Sequence, residues 1–253
     1  MSWTLLYEDE YLVAIDKPAG LLVVPDRWDR TCANLVDQVR SHLSPEWRNV
    51  HRLDRDTSGV VLFARSVATL PPLAALFETG AVEKTYLALV RPPPRAESGR
   101  IDRPLDTDPR HPGRMRVALR GKPSCTEFRC LQVWPRWSIG LLEVHPRTGR
   151  THQIRVHLAA SGSPVLVDPW YGDGEPLTLP VMRRSGARHS GTQRSGPQRS
   201  GPQRSGPSRP PLLTRLALHA HCLEFVHPFT GQPCRIESPC PGDLQRAIEQ
   251  LDG

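Results

Sequence analysis

The chain has 253 residues, with 33 lysines and arginines against 26 acids and an ordinary apolar content of 38%. That length can bury a core as one large domain or two small ones. No window approaches the roughly 18 consecutive apolar residues of a membrane span. The N-terminal MSWTLLYEDEYLVAID also lacks a basic-then-apolar leader, so a cytoplasmic location is expected.

In chain order, YLVAIDK and LLVVP are predicted strands separated by the Pro18-Ala19-Gly20 turn. CANLVDQVRSHL is predicted as an amphipathic helix with Leu35, Val36, Val39 and Leu43 on one face. VVLFA (60–64) is a buried strand, and Pro71 and Pro72 can open a helix over PLAALFETG, since proline is tolerated in a first turn. KTYLALV, CTEFRCLQVW and WSIGLLEVHP alternate like strands. THQIRVHLAASG predicts a helix closed by Gly162, and DLQRAIEQL a last helix. Runs of strands with interspersed helices point to an α+β fold rather than a regular parallel wind.

The stretch 183–209 breaks this pattern. It repeats QRSGP three times and holds seven arginines (Arg183, Arg184, Arg188, Arg194, Arg199, Arg204, Arg209) and no acid. Taking those seven from the net charge of +7 leaves the rest of the chain at zero. Arginine, serine, glycine and proline with Ala187 as their single apolar residue cannot form a core, so a disordered insert is expected. A cationic tether for RNA and a neutral expansion at a tolerant loop both fit it.

Three clusters can carry chemistry. HRLDRDTSG (51–59) places Asp54 and Asp56 among Arg52 and Arg55, just before the buried strand. Asp56-Thr57-Ser58-Gly59 has the composition of a tight turn, which gives Asp56 a structural role. Asp54 follows the apolar Leu53, and a carboxylate at the core's edge would be costly unless an arginine paired with it. Local physics leaves a catalytic acid and a structural ion pair both open for Asp54. In PRTGRTHQIRVH (146–157), helical spacing would put His152 and Arg155 on one face and turn Ile154 and Leu158 to the core. Arg147 and Arg150 precede that helix, where phosphate binding and a solvated basic turn are the two readings. Tyr86 in EKTYLALV reads, by itself, as a core tyrosine.

No metal site is expected. The histidines of HQIRVH and LHAHC lack nearby acids or cysteines to complete a ligand set. The six cysteines include no C-x-x-C pair and read as reduced, mostly buried thiols.

Taken together, DKPAGLLVVP (16–25), HRLDRDTSG, EKTYLALV (83–90), RTGRTHQIRVHL (147–158) and LHAHCLEFVHP (218–228) resemble the ordered motif series of the RluA family of RNA pseudouridine synthases. The resemblance implies a mixed, mainly antiparallel sheet with flanking helices around a central RNA cleft. It implies isomerisation of uridine to pseudouridine in ribosomal or transfer RNA, by base flipping, without a cofactor or metal. Asp54 then becomes the catalytic aspartate, Tyr86 the active-site tyrosine and Arg155 the ion-pair partner of Asp54. Arg52 would enter the space vacated by the flipped base, and Arg55, Arg147, Arg150 and His152 would contact RNA. The motifs begin near Met1, so no N-terminal S4-type domain and a single catalytic domain over 1–253 are expected, as a monomer.

Many family members carry Gly-Asp where VLVDPWYG (165–172) has Val167-Asp168, a departure expected to alter a turn and to touch no catalytic position. The competing reading is a non-catalytic RNA-binding or ribosome-assembly factor on the same fold. A glycoside hydrolase would need two acting carboxylates, and no second acid stands out.

Overall fold

The computed structural model describes residues 3–26, 29–179 and 210–253. The arginine-rich insert expected over 183–209 lies outside the described residues.

The chain opens with β1 (Thr4–Glu8) and β2 (Leu12–Lys17), an antiparallel pair, followed by α1 (Leu35–His42), the short β3 (Arg48–Asn49) and β4 (Ser58–Ala64). Next come α2 (Leu70–Thr79), β5 (Glu83–Val90), β6 (Ser98–Asp102) and the small hairpin β7 (Leu105–Thr107) and β8 (Met115–Val117). The last part holds β9 (Cys125–Trp134), β10 (Ile139–Pro146), α3 (Gln153–Ala160), β11 (Leu218–Val226), β12 (Pro233–Glu237) and α4 (Gly242–Asp252). The main sheet runs β1-β2-β4-β11-β5-β10-β9-β6, with β12 also on β11 and β3 on β4. Its only parallel pairing among the described residues joins β4 to β11; the others are antiparallel. The mixed, mainly antiparallel α+β architecture is therefore as expected.

VVLFA is apolar throughout because helices cover both faces of this part of the sheet. Val13, Ile15, Val61 and Phe63 pack with Leu35, Val36 and Val39 of α1. Leu12, Ala14, Val60, Leu62 and Ala64 point the other way and pack with Leu73 of α2. Period-2 alternation sends successive residues to opposite layers, so a strand buried on both faces has no polar side. The cluster around β5, β10 and α3 is completed by Leu244, Ala247 and Leu251 of α4.

Local signals explain the element ends. Asn34 caps α1, its side chain accepting the Asp37 N–H at 3.0 Å. The prolines occupy the first turn of α2, and Gly80 closes it in the left-handed region. Three expectations need correction. LLVVP forms no strand; only Leu22 makes an isolated bridge, to Asn34. Leu43 is the C-cap of α1 and is exposed, because the helix stops one residue before its face could carry Leu43 inward. His152 lies outside α3: its φ of 54° sets it at the N-cap, and the helix starts at Gln153.

Candidate active site

One register row across four strands fixes the site: Gly59 of β4 pairs with Ala220 of β11, Ala220 with Tyr86 of β5, and Tyr86 with Val144 of β10. The close approach at Gly59 explains why TSG ends the HRLDRDTSG motif. Gly59 has φ of +116°, and a Cβ there would lie 2.1 Å from the Ala220 carbonyl oxygen. Only glycine permits both the backbone angle and the contact. The loop carrying Asp54 is thereby drawn in beside Tyr86.

That loop is tied down from below by Lys17. Its side chain is fully buried, and Nζ donates to the carbonyls of Pro18, Leu21 and Arg55 at 2.8, 2.8 and 2.9 Å. Three donors meeting three carbonyls join the Pro-Ala-Gly turn to the Asp54 loop. Burial pushes the Lys17 pKa down to about 7, opposed by the carboxylates of Asp56 and Asp54. Asp56 differs from expectation: the turn closes through Thr57 N–H to the Asp54 carbonyl at 3.2 Å, with no hydrogen bond to the Asp56 carboxylate among the described residues.

A cleft of about 570 Å³ opens here, lined by Arg52, Leu53, Asp54, Lys84, Tyr86 and the segment 146–150 with His152 through Arg155, among others. Asp54 Oδ2 lies 3.3 Å from Arg155 Nη1 and 3.9 Å from His152 Nε2. Arg155, 4% exposed, is gripped again from behind: Nε and Nη2 donate to the two oxygens of Asp168, each at 2.8 Å. Asp168 is fully buried and also accepts the backbone N–H groups of Trp170 and Tyr171 at 2.9 and 3.1 Å. Arg155 and these amides hold the Asp168 carboxyl below its ordinary range against the cost of burial.

VLVDPWYG holds more than its Val167 departure. Asp168 touches the cleft machinery directly through Arg155. Val167 has φ of 57°, a region costly for a β-branched residue, which explains why glycine suits that position. Tyr171 joins the same network: its hydroxyl accepts the Met115 N–H at 2.8 Å and sits 2.8 Å from His152 Nδ1. Burial lowers the His152 pKa, so its ring is neutral at neutral pH. Its Nε2 faces Asp54 Oδ2 at 3.9 Å, beyond hydrogen-bond reach.

Tyr86 is half-buried on the cleft wall. Its hydroxyl pKa is raised, chiefly by burial and secondly by the Asp54 charge. The arginines differ in their surroundings. Arg52 is exposed on the cleft and makes no hydrogen bond or ion pair among the described residues. Arg147 pairs with Glu83 and, at 2.9 Å, with Glu127, while Arg150 Nε donates to the Pro123 carbonyl at 3.2 Å. Gln153 organises their loop, accepting from Thr148 Oγ1 at 2.6 Å and Arg150 N–H at 3.0 Å. Arg55 does not line the cleft; its Nε donates to the Gly20 carbonyl at 3.1 Å.

His51 and His157 of the two motifs are structural. His51 Nε2 accepts the Leu62 N–H at 3.0 Å and its ring stacks on Phe77 at 4.4 Å. His157 spans Thr126 Oγ1 and the Arg103 carbonyl, each at 2.9 Å. No group of three or more His, Cys, Asp or Glu that could hold a metal occurs among the described residues. Among them, no helix is long and apolar enough to cross a membrane.

Residues 11–160, which carry the Asp54 loop, Tyr86 and Arg155, match the RNA pseudouridylate synthase family. The chain belongs to that family. Among synthases of this family, ribosomal large subunit pseudouridine synthase D of Nitrosomonas europaea is 36% identical over 98% of this chain, which spans 64% of the relative's length. The enzyme of the same name from Xanthomonas campestris is 37% identical over 98% of this chain and 69% of its own. These relatives agree with the RluA-type resemblance of the motifs. Human RNA pseudouridylate synthase domain containing 4 shares the fold, with a TM-score of 0.69 at 24% identity, covering 98% of this chain and 92% of that one.

Proposed function

We propose that the chain isomerises uridine to pseudouridine within RNA, with Asp54 as the catalytic carboxylate, Tyr86 against the uracil and Arg155 as the cation that orients Asp54. The observation that carries this reading is the Asp54–Arg155–Asp168 chain at the cleft, with Asp54 at 3.3 Å from a guanidinium that a second carboxylate holds at 2.8 Å. A guanidinium fixed from behind keeps its charge and direction while Asp54 reacts, which is the preorganisation that lowers a barrier.

The reaction keeps the composition of the nucleotide. The N1–C1′ bond breaks, the uracil turns, C5 bonds to C1′, C5 loses its proton and N1 gains one. Asp54 serves either by attack at C1′ or by removal of the 2′ proton. Tyr86 is well placed for a late role. The Asp54 charge helps hold its hydroxyl protonated, and that influence vanishes once Asp54 is neutralised by bonding to sugar or proton. The hydroxyl then ionises more readily: it would give its proton to N1 and, as tyrosinate, take the one that C5 loses, so that Tyr86 ends as it began.

A uridine must leave its stack to reach Asp54, at a cost of roughly a few kcal/mol. The guanidinium of Arg52, unpaired among the described residues, would fill the space that the base leaves, while Arg147, Arg150 and His152 would contact the RNA backbone. Arg55, off the cleft, would contact RNA beyond it. The substrate class is ribosomal or transfer RNA, and the protein acts in the cytoplasm as a monomer without cofactor. The competing non-catalytic binder would not require the buried Asp168 clamp. Nor does Asp168 supply the second acting carboxylate of a glycoside hydrolase, since both its oxygens are occupied.

The test is nucleoside analysis of ribosomal and transfer RNA from cells lacking the gene, before and after incubation with the protein. Pseudouridine should rise as uridine falls, with RNA mass unchanged. Binding with no conversion would support the binder instead.

A further inference from the structure

Trp170 has no part in the chemistry above, yet the residue is 40% exposed beside the cleft. Its backbone is locked by the N–H to Asp168 hydrogen bond, so the ring sits on a rigid loop. Three cationic or polar rings and forks surround it. The Arg155 guanidinium lies 5.6 Å from the indole centroid, the His152 ring meets it edge-on at 4.9 Å, and the Arg114 guanidinium lies 5.8 Å away. Arg114 comes from the β7–β8 hairpin, whose Gly113 turn abuts the indole; a Cβ at Gly113 would lie 3.5 Å from Trp170. The Arg114 side chain makes no hydrogen bond or ion pair among the described residues, so its charge is not neutralised within the protein.

A rigid, half-open indole next to an uncompensated guanidinium, one residue removed from cleft-lining groups, is what a stacked base with its phosphate requires. We propose that Trp170 and Arg114 form a stacking subsite for a nucleobase flanking the target uridine, the base on the exposed indole and its phosphate against Arg114. This rests on the reading of the cleft as a uridine site in RNA. It gives the enzyme a handle on target context at a position where the neighbouring residues, Asp168 and Tyr171, are tied to the reacting groups.

The test uses ribosomal RNA from cells lacking the gene as the probe, with equilibrium filter binding in an Asp54→Asn background. Trp170→Ala should weaken binding about five- to 150-fold, the range for loss of one base–aromatic stack. Trp170→Phe should recover most of that loss. Arg114→Ala should weaken binding and reduce the salt slope by about 0.7, one phosphate contact on a single strand. In turnover, measured with Asp54 intact, the Trp170→Ala defect should fall on KM. Binding within about twofold of the parent, no binding by the parent, or a defect in kcat alone that Trp170→Phe does not rescue would each overturn the subsite. The last result would make Trp170 a prop for Arg155. Failure of the wild type to convert uridine would overturn the isomerase reading, while the binding comparison would still decide the stacking.

Discussion

Arg155 is held from two sides: Asp168 takes Nε and Nη2 at 2.8 Å each, and Asp54 takes Nη1 at 3.3 Å. The tighter, fully buried partner is the one away from the cleft. Asp168 fixes the arginine, and the arginine fixes Asp54.

Asp168→Asn should therefore affect both folding and turnover. Removing the tighter partner of a buried pair leaves Arg155 with Asp54 alone at 3.3 Å, at a cost of up to about 3–5 kcal/mol. A guanidinium displaced by an ångström would lower kcat by about 100-fold. Denaturant titration and kcat on the same preparation check this. Wild-type kcat in a folded Asp168→Asn protein would contradict the relay.

Gly59→Ala tests the strand contact that positions Asp54. The added Cβ would lie 2.1 Å from the Ala220 carbonyl oxygen at a φ of +116°. Overpacking and backbone strain together should cost about 3 kcal/mol or more. The expected readout is a lowered urea midpoint with activity lost in step. A neutral outcome would mean that β4 and β11 can separate without disturbing the loop.

Acid should destabilise the fold through His219. This side chain is fully buried, with Nδ1 3.0 Å from Ser58 Oγ and Nε2 3.2 Å from the Ser238 carbonyl. Burial pushes its pKa down to about 4 from an ordinary 6.5. Between those values the unfolded chain takes up a proton that the native state refuses, so stability falls as pH drops below 6.5. The slope is up to about 1.4 kcal/mol per pH unit from this group. Urea midpoints at several pH values should show the fall, and His219→Gln should flatten it.

Tyr86→Phe separates the ring from the hydroxyl. The ring still packs, so RNA binding should hold, while loss of a proton acceptor should slow turnover about 10²- to 10⁴-fold. Single-turnover rates and filter binding check both halves. A fully active Tyr86→Phe enzyme would confine Tyr86 to packing.

Much of the site was legible because it lies in dense, unusual strings. HRLDRDTSG makes an unpaired Asp54 costly at the core's edge, and it is the resemblance of RTGRTHQIR to the family motif that names Arg155 as its partner. The hidden part lies where one residue's role depends on a distant partner. Asp168 sits in the apolar run VLVDP, and a lone carboxylate there requires a buried cation; that signal is in the sequence, but nothing local says which arginine answers it. Lys17 likewise needed the fold to bring three carbonyls around it. The left-handed His152 was illegible from periodicity, since THQIRVHL continues a helical pattern across the true start.

The central claim is that Asp54 performs the isomerisation, and tritium release from 5-³H-uridine-labelled ribosomal RNA tests it most directly, with wild type beside Asp54→Asn. The account predicts release by the wild type, none by Asp54→Asn, and retained RNA binding by that variant. Release by Asp54→Asn at the wild-type rate would contradict it.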